Sequence, residues 1–94
     1  MMHPPTRADL QRHVTATVCG HLHLDAGALD PAADLRELRA FSSFAAVTIL
    51  ERLEEDLGVE VPAERLTADR LCSVAALTDL FAQALSERRA VSSP

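Results

Sequence analysis

The sequence predicts an all-α fold: a small bundle of three main helices and one short helix, with a long loop between helices 1 and 2. Three observations predict it. Apolar residues recur at helical spacing in three segments, two of which follow a serine suited to an N-cap. The one extended-looking piece, Val59-Glu60-Val61-Pro62, is too short to build a sheet. Finally, 94 residues with 48% hydrophobic and 24% charged side chains support one modest core and no more. The expected organisation is a disordered N-terminus over 1–6, one domain over 7–86 and a disordered tail over 87–94.

The first helix is expected from Arg7 to about Leu22. Leu10, Val14, Val18 and Leu22 recur every four positions, Thr6 suits the cap, and Asp9 suits the positive end of the helix dipole. Gly20 weakens or ends its last turn. Residues 23–41 read as a loop because Gly27, Asp30-Pro31 and Asp34 are turn residues. A loop of that length in a compact domain has to be pinned or functional, and Leu24, Leu29, Leu35 and Leu38 are the expected pins.

Ser42 and Ser43 then precede the strongest segment, Phe44 to Leu57. At 100° per residue, Ala46, Ile49, Leu50, Leu53 and Leu57 share one face and should meet the core. The other side carries Phe44, Val47, Thr48, Glu51, Glu54 and Glu55, two apolar residues set among three acids. Gly58 is the natural stop. One or two weak helical turns follow over 63–71, with Leu66 and Leu71 pointing inward. Ser73 caps a last helix from Val74 to about Ser86, whose stripe is Val74, Leu77, Phe81, Ala84 and Leu85.

The formal charge of −5 is concentrated. Between residues 30 and 64, nine acids face three arginines, so that window is net negative while the rest is nearly neutral. Phosphate neutralisation needs a basic patch, so nucleic-acid binding is disfavoured and a basic protein partner is the natural complement. No apolar run is long enough to span a membrane, and Met1 to Pro5 lacks a signal-peptide layout. A cytoplasmic monomer with Cys19 and Cys72 reduced is the expectation.

Ser42-Ser43-Phe44 followed by Leu53-Glu54-Glu55-Asp56-Leu57-Gly58-Val59-Glu60-Val61-Pro62 resembles the acyl carrier and peptidyl carrier protein family. That family has Asp-Ser-Leu, then an acidic amphipathic helix ending in Leu-Glu-Glu-x-Phe-Gly-x-x-Ile-Pro. Leu29 to Leu35 resembles its loop, and Ser73-Val74-Ala75-Ala76-Leu77 resembles the opening of its last helix. The resemblance spans roughly Leu10 to Leu85. It implies an acyl-carrier-like four-helix bundle with a 4′-phosphopantetheine arm on Ser43, the serine in the family's register with Leu57. It also implies partner docking through Phe44, Val47, Glu51, Glu54 and Glu55.

The chain departs from the family at Ser42 (for Asp), Ala40 (for Gly) and Phe44 (for Leu). This leaves Ser42 open as the modified residue, and an unmodified docking module open as the alternative. The function implied is a non-catalytic discrete carrier of acyl or aminoacyl thioesters in a polyketide or nonribosomal peptide type pathway. Its partners would be a phosphopantetheinyl transferase and the loading and processing enzymes. Cys19, His21 and His23 do not read as a metal site, since alternate residues of a helix point in different directions and no second cluster exists.

Overall fold

The computed structural model describes residues 6–92, with side chains described through Arg88. Four α-helices appear in the order α1 (Arg7–Leu22), α2 (Ser43–Leu57), α3 (Ala68–Leu71) and α4 (Val74–Ser92), with short 3-10 turns at Ala26–Ala28, Leu35–Glu37 and Ala63–Arg65. Helix α1 packs on both α2 and α4, and α3 packs on α4. The all-helical bundle matches the fold expected from the sequence.

Helix α1 starts with a reciprocal cap. The Thr6 hydroxyl accepts from the Asp9 amide, and the Asp9 carboxylate accepts from the Thr6 amide. Its inward face is Leu10, Val14, Val18 and Leu22, joined by Cys19. Gly20 does not end it. The stop comes at His23, in left-handed backbone at φ 59°, whose amide donates to the Cys19 carbonyl. Histidine is among the residues that tolerate this region.

The long loop is held by side chains and by backbone. Leu35 is fully buried, and Leu29 and Leu38 pack against the core. Leu24 is a correction: it stays exposed, because it follows the left-handed turn at His23 that swings the chain out of α1. Asp25, Asp30 and Asp34 each fold a turn by accepting an amide two residues on. The Leu35 amide donates to the Cys72 carbonyl (2.6 Å) and the Ala75 amide to the Pro31 carbonyl (2.9 Å). The loop is thereby tied to the far side of the bundle.

Helix α2 buries Ala45, Ile49, Leu50 and Leu53. Ala46 was expected in this set but is only half-buried and lines a groove, because the packed face is centred one residue earlier. Leu57 is half-buried against the core. Gly58 adopts φ 66°, and the Glu54 carbonyl accepts from both Gly58 and Val59 amides. A side chain at Gly58 would be strained by that φ and would crowd the Arg88 guanidinium.

Val59 and Val61 then turn inward. Leu66 and Leu71 pack on the core as expected.

Helix α4 differs from expectation in two ways. Its buried face is wider, adding Leu80 and Thr78, because it packs against both α1 and α3. Thr78 is satisfied in the core by donating to the Val74 carbonyl (2.7 Å). The helix also runs to Ser92 instead of stopping near Ser86, so residues 87–92 are helical where a disordered tail was expected. Glu87 pairs with Arg65, and Arg88 donates to the Gly58 carbonyl, which gives the extra turns tertiary partners. Thr6, counted in the expected disordered N-terminus, is instead fixed as the cap of α1, and the rest of the expected disordered ends, 1–5 and 93–94, lies outside the described residues.

Candidate functional site

The loop delivers two adjacent serines to the start of α2, and the structure gives them different jobs. Ser42 has extended backbone (φ −101°, ψ 174°), and its Oγ accepts from the Ala45 amide at 3.1 Å. Its carbonyl accepts from the Ala46 amide at 2.9 Å. The Ser42 hydroxyl is therefore committed to capping. Ser43 is the first helical residue, exposed and relieved of that duty. The amides of Ser43 and Phe44 have no intrahelical acceptor at this position, and the helix dipole places partial positive charge there. An anion attached to the Ser43 oxygen would sit where a helix receives anions best.

A groove of about 320 Å³ opens beside this serine. Its α2 side is Ser43, Ala46 and Val47, and its far side is Leu71 and Cys72, with Phe41 and Arg36 contributed by the loop. The lining is mainly apolar, and among the described residues Arg36 is the one charged side chain on it. Arg36 is held by Asp34, whose carboxylate accepts from Nε (2.9 Å) and Nη2 (2.9 Å). That pairing holds the Asp34 carboxyl below its ordinary range, chiefly through the Arg36 side chain and then its amide. Sequence reasoning missed Arg36 and assigned Cys72 no part in the site. Cys72 is half-buried on the groove, and its thiol donates to the Asp69 carbonyl. The signal for both lay in the loop's tie to α3, which a linear sequence does not show.

The acidic side of α2 is uneven. Phe44 is 79% exposed and Val47 is 51% exposed. Glu51 and Glu55 are exposed as well. Glu54 is only half exposed, and its Oε2 accepts from the Val61 amide at 2.8 Å. Its carboxylate braces the segment after α2 rather than standing free among the other acids. The Cys-x-His-x-His segment is split: Cys19 is buried while His21 and His23 are exposed. Burial pushes the Cys19 thiol up, with a smaller push from Asp25. Among the described residues no three potential ligands come together to hold a metal. No helix among them is long and apolar enough to cross a membrane.

The family model described as phosphopantetheine attachment site matches residues 12–81. No curated protein matches the chain. The matched residues include most of α1, the whole long loop, all of α2 and α3, and the start of α4, so the site just described lies inside the match. The group such a domain carries covalently is 4′-phosphopantetheine. The exposed Ser43 hydroxyl at a helix N-terminus, next to an apolar groove with one cation, fits a serine-linked phosphodiester followed by a long uncharged arm.

Proposed function

The chain belongs to the phosphopantetheine attachment-site family, and from that premise we propose that it is an acyl or peptidyl carrier protein with Ser43 as its attachment residue. One observation carries the choice of serine: both residues are exposed, but Ser42 engages its hydroxyl oxygen with the Ala45 amide, while Ser43 stands as the first residue of the helix. When bound, the arm supplies a terminal thiol that holds an acyl or aminoacyl group as a thioester. The protein's own residues present, orient and dock; the enzymes it visits supply the chemistry.

Phe44 and Val47 supply apolar contact area, and Glu51 and Glu55 supply charge for a basic partner surface. Glu54 contributes to that face through its position while its carboxylate braces Val61. The departure from Asp-Ser-Leu supports a specialised polyketide or nonribosomal peptide type pathway over a housekeeping one.

Intact mass after incubation with coenzyme A and a broad-specificity phosphopantetheinyl transferase tests the reading. The expected result is one phosphopantetheinyl increment in the wild type and in Ser42→Ala, and none in Ser43→Ala. An increment that persists in Ser43→Ala moves the site elsewhere. No increment with any of several transferases favours an unmodified docking module.

A further inference from the structure

We propose that Arg36 is a positioning residue for the arm: its guanidinium holds the phosphodiester on Ser43 and sets where the arm leaves the protein. The inference rests on Ser43 as the attachment residue. It begins from a charge that is out of character with its surroundings. Residues 30–64 carry nine acids and three arginines, yet among the described residues the only charged side chain lining the groove beside Ser43 is positive.

The cation is also oriented. Asp34 binds Nε and Nη2 of Arg36 in a two-point fork, and Asp34 is not among the residues lining the groove. Of the pair, Arg36 lines the groove and Asp34 does not, and the Asp69 carboxylate acts on the guanidinium more weakly than Asp34 does. The fork occupies one edge of the guanidinium, so the Nη1 edge keeps its donors. The side chain remains about half exposed, at 52%.

The loop holds Arg36 in place from below. Leu35 is fully buried, and its amide donates to the Cys72 carbonyl at 2.6 Å on the opposite wall of the same groove. An arginine fixed at its root and at one edge loses little freedom in meeting an anion. The only anionic part of the arm is the phosphodiester next to Ser43; everything beyond it is uncharged and suits the apolar remainder of the groove. A planar guanidinium with free donors is the side chain best matched to a phosphate oxygen.

The test uses apo and holo forms of the wild type, Arg36→Gln and Arg36→Lys, each checked by intact mass for the Ser43 increment and by circular dichroism for helix content. Two readouts follow: the melting-temperature difference between holo and apo, and the 31P resonance of the phosphodiester with and without high salt. A contact made only in the holo form should raise its melting point over apo by about 2–4 °C, the size expected for one partly exposed charge pair in a domain this small. That difference should vanish in Arg36→Gln and be partly restored in Arg36→Lys.

The wild-type 31P resonance should shift in high salt toward its position in Arg36→Gln, because salt screens an exposed pair. A merely structural role for Arg36 would lower apo and holo together and leave their difference unchanged. Equal differences and equal 31P positions in wild type and Arg36→Gln overturn the inference while leaving Ser43 as the attachment site. Absence of the mass increment at Ser43 overturns both, and the mass spectrum tells the two failures apart. The salt titration on wild-type holo protein stands alone if a variant does not fold.

Discussion

Two serines side by side at a helix start are chemically alike, and only their backbone positions separate them. Ser42, outside the helix with extended φ and ψ, points its hydroxyl at the Ala45 amide; Ser43, one residue later, has turned into the helix and cannot. An N-cap is worth about 1 kcal/mol, so the two positions should answer differently to the same substitution. Ser42→Ala should lower stability by about 1 kcal/mol in urea denaturation while keeping the mass increment at Ser43. Ser42→Asp should keep wild-type stability, since Asp caps as well as Ser. It also restores the carboxylate of the Asp-Ser pattern, and faster transfer of the arm is expected in a timed mass assay. If Ser42→Ala were as stable as the wild type, the division of labour between the serines would be wrong.

Among the elements, α2 shows how one face can combine exposure with bracing. Glu51 and Glu55 project into solvent, whereas Glu54 accepts the Val61 amide and so ties the helix to the segment that buries Val59 and Val61. Removing an acceptor from a half-buried amide costs about 1–3 kcal/mol. Glu54→Ala should therefore lower stability by that amount, measured by urea denaturation. Glu51→Arg should leave stability within about 0.5 kcal/mol, as surface changes usually do, while slowing loading by a basic partner enzyme several-fold. Unchanged loading kinetics for Glu51→Arg would remove charge from the docking argument.

This contrast also marks what a sequence can disclose. The α1 stripe, the caps at Thr6 and Ser73, and the Gly58 stop were legible because each depends on neighbours within a turn or two of helix, whereas α2 begins at Ser43, one residue before the expected Phe44, with Ser42 as the cap. Leu80 and Thr78 in the core, the Glu54 brace, the Arg36 groove wall and the turns of α4 beyond Ser86 were not. Each depends on a partner that only the folded chain brings near, such as Arg65 for Glu87 or Gly58 for Arg88. Register with Leu57 pointed to Ser43 as the proposed attachment serine, and the physical ground for preferring it to Ser42 appeared only in backbone geometry.

For the molecule as a whole, composition and fold together set the pH range over which it stays folded. On the acid side, three carboxylates are held below their ordinary range: exposed Asp9 chiefly by the Thr6 amide, half-buried Asp34 chiefly by the Arg36 side chain, and exposed Glu87 chiefly by the Arg65 side chain. A carboxylate with a lowered folded pKa stabilises the fold above its unfolded value of about 4 and loses that contribution as pH falls through the folded value. Melting temperature should hold from neutral to about pH 5 and decline below about pH 4.

The alkaline side is simpler because the chain has no tyrosine and all nine of its basic residues are arginine, which stays protonated. The side chains left to titrate there are the two thiols. The buried Cys19 thiol has its pKa raised, so the folded state keeps its proton when the unfolded state has released it. The sign is then opposite to the acid limb: stability is constant below the unfolded thiol value of about 8.5 and falls as pH rises above it. Cys19→Ala should flatten that alkaline decline, at a cost of about 1 kcal/mol or less at neutral pH for the lost sulfur contacts. Melting curves of the two proteins from pH 7 to about pH 10 provide the comparison. Parallel declines would assign the alkaline limb to another group and leave Cys19 as packing alone.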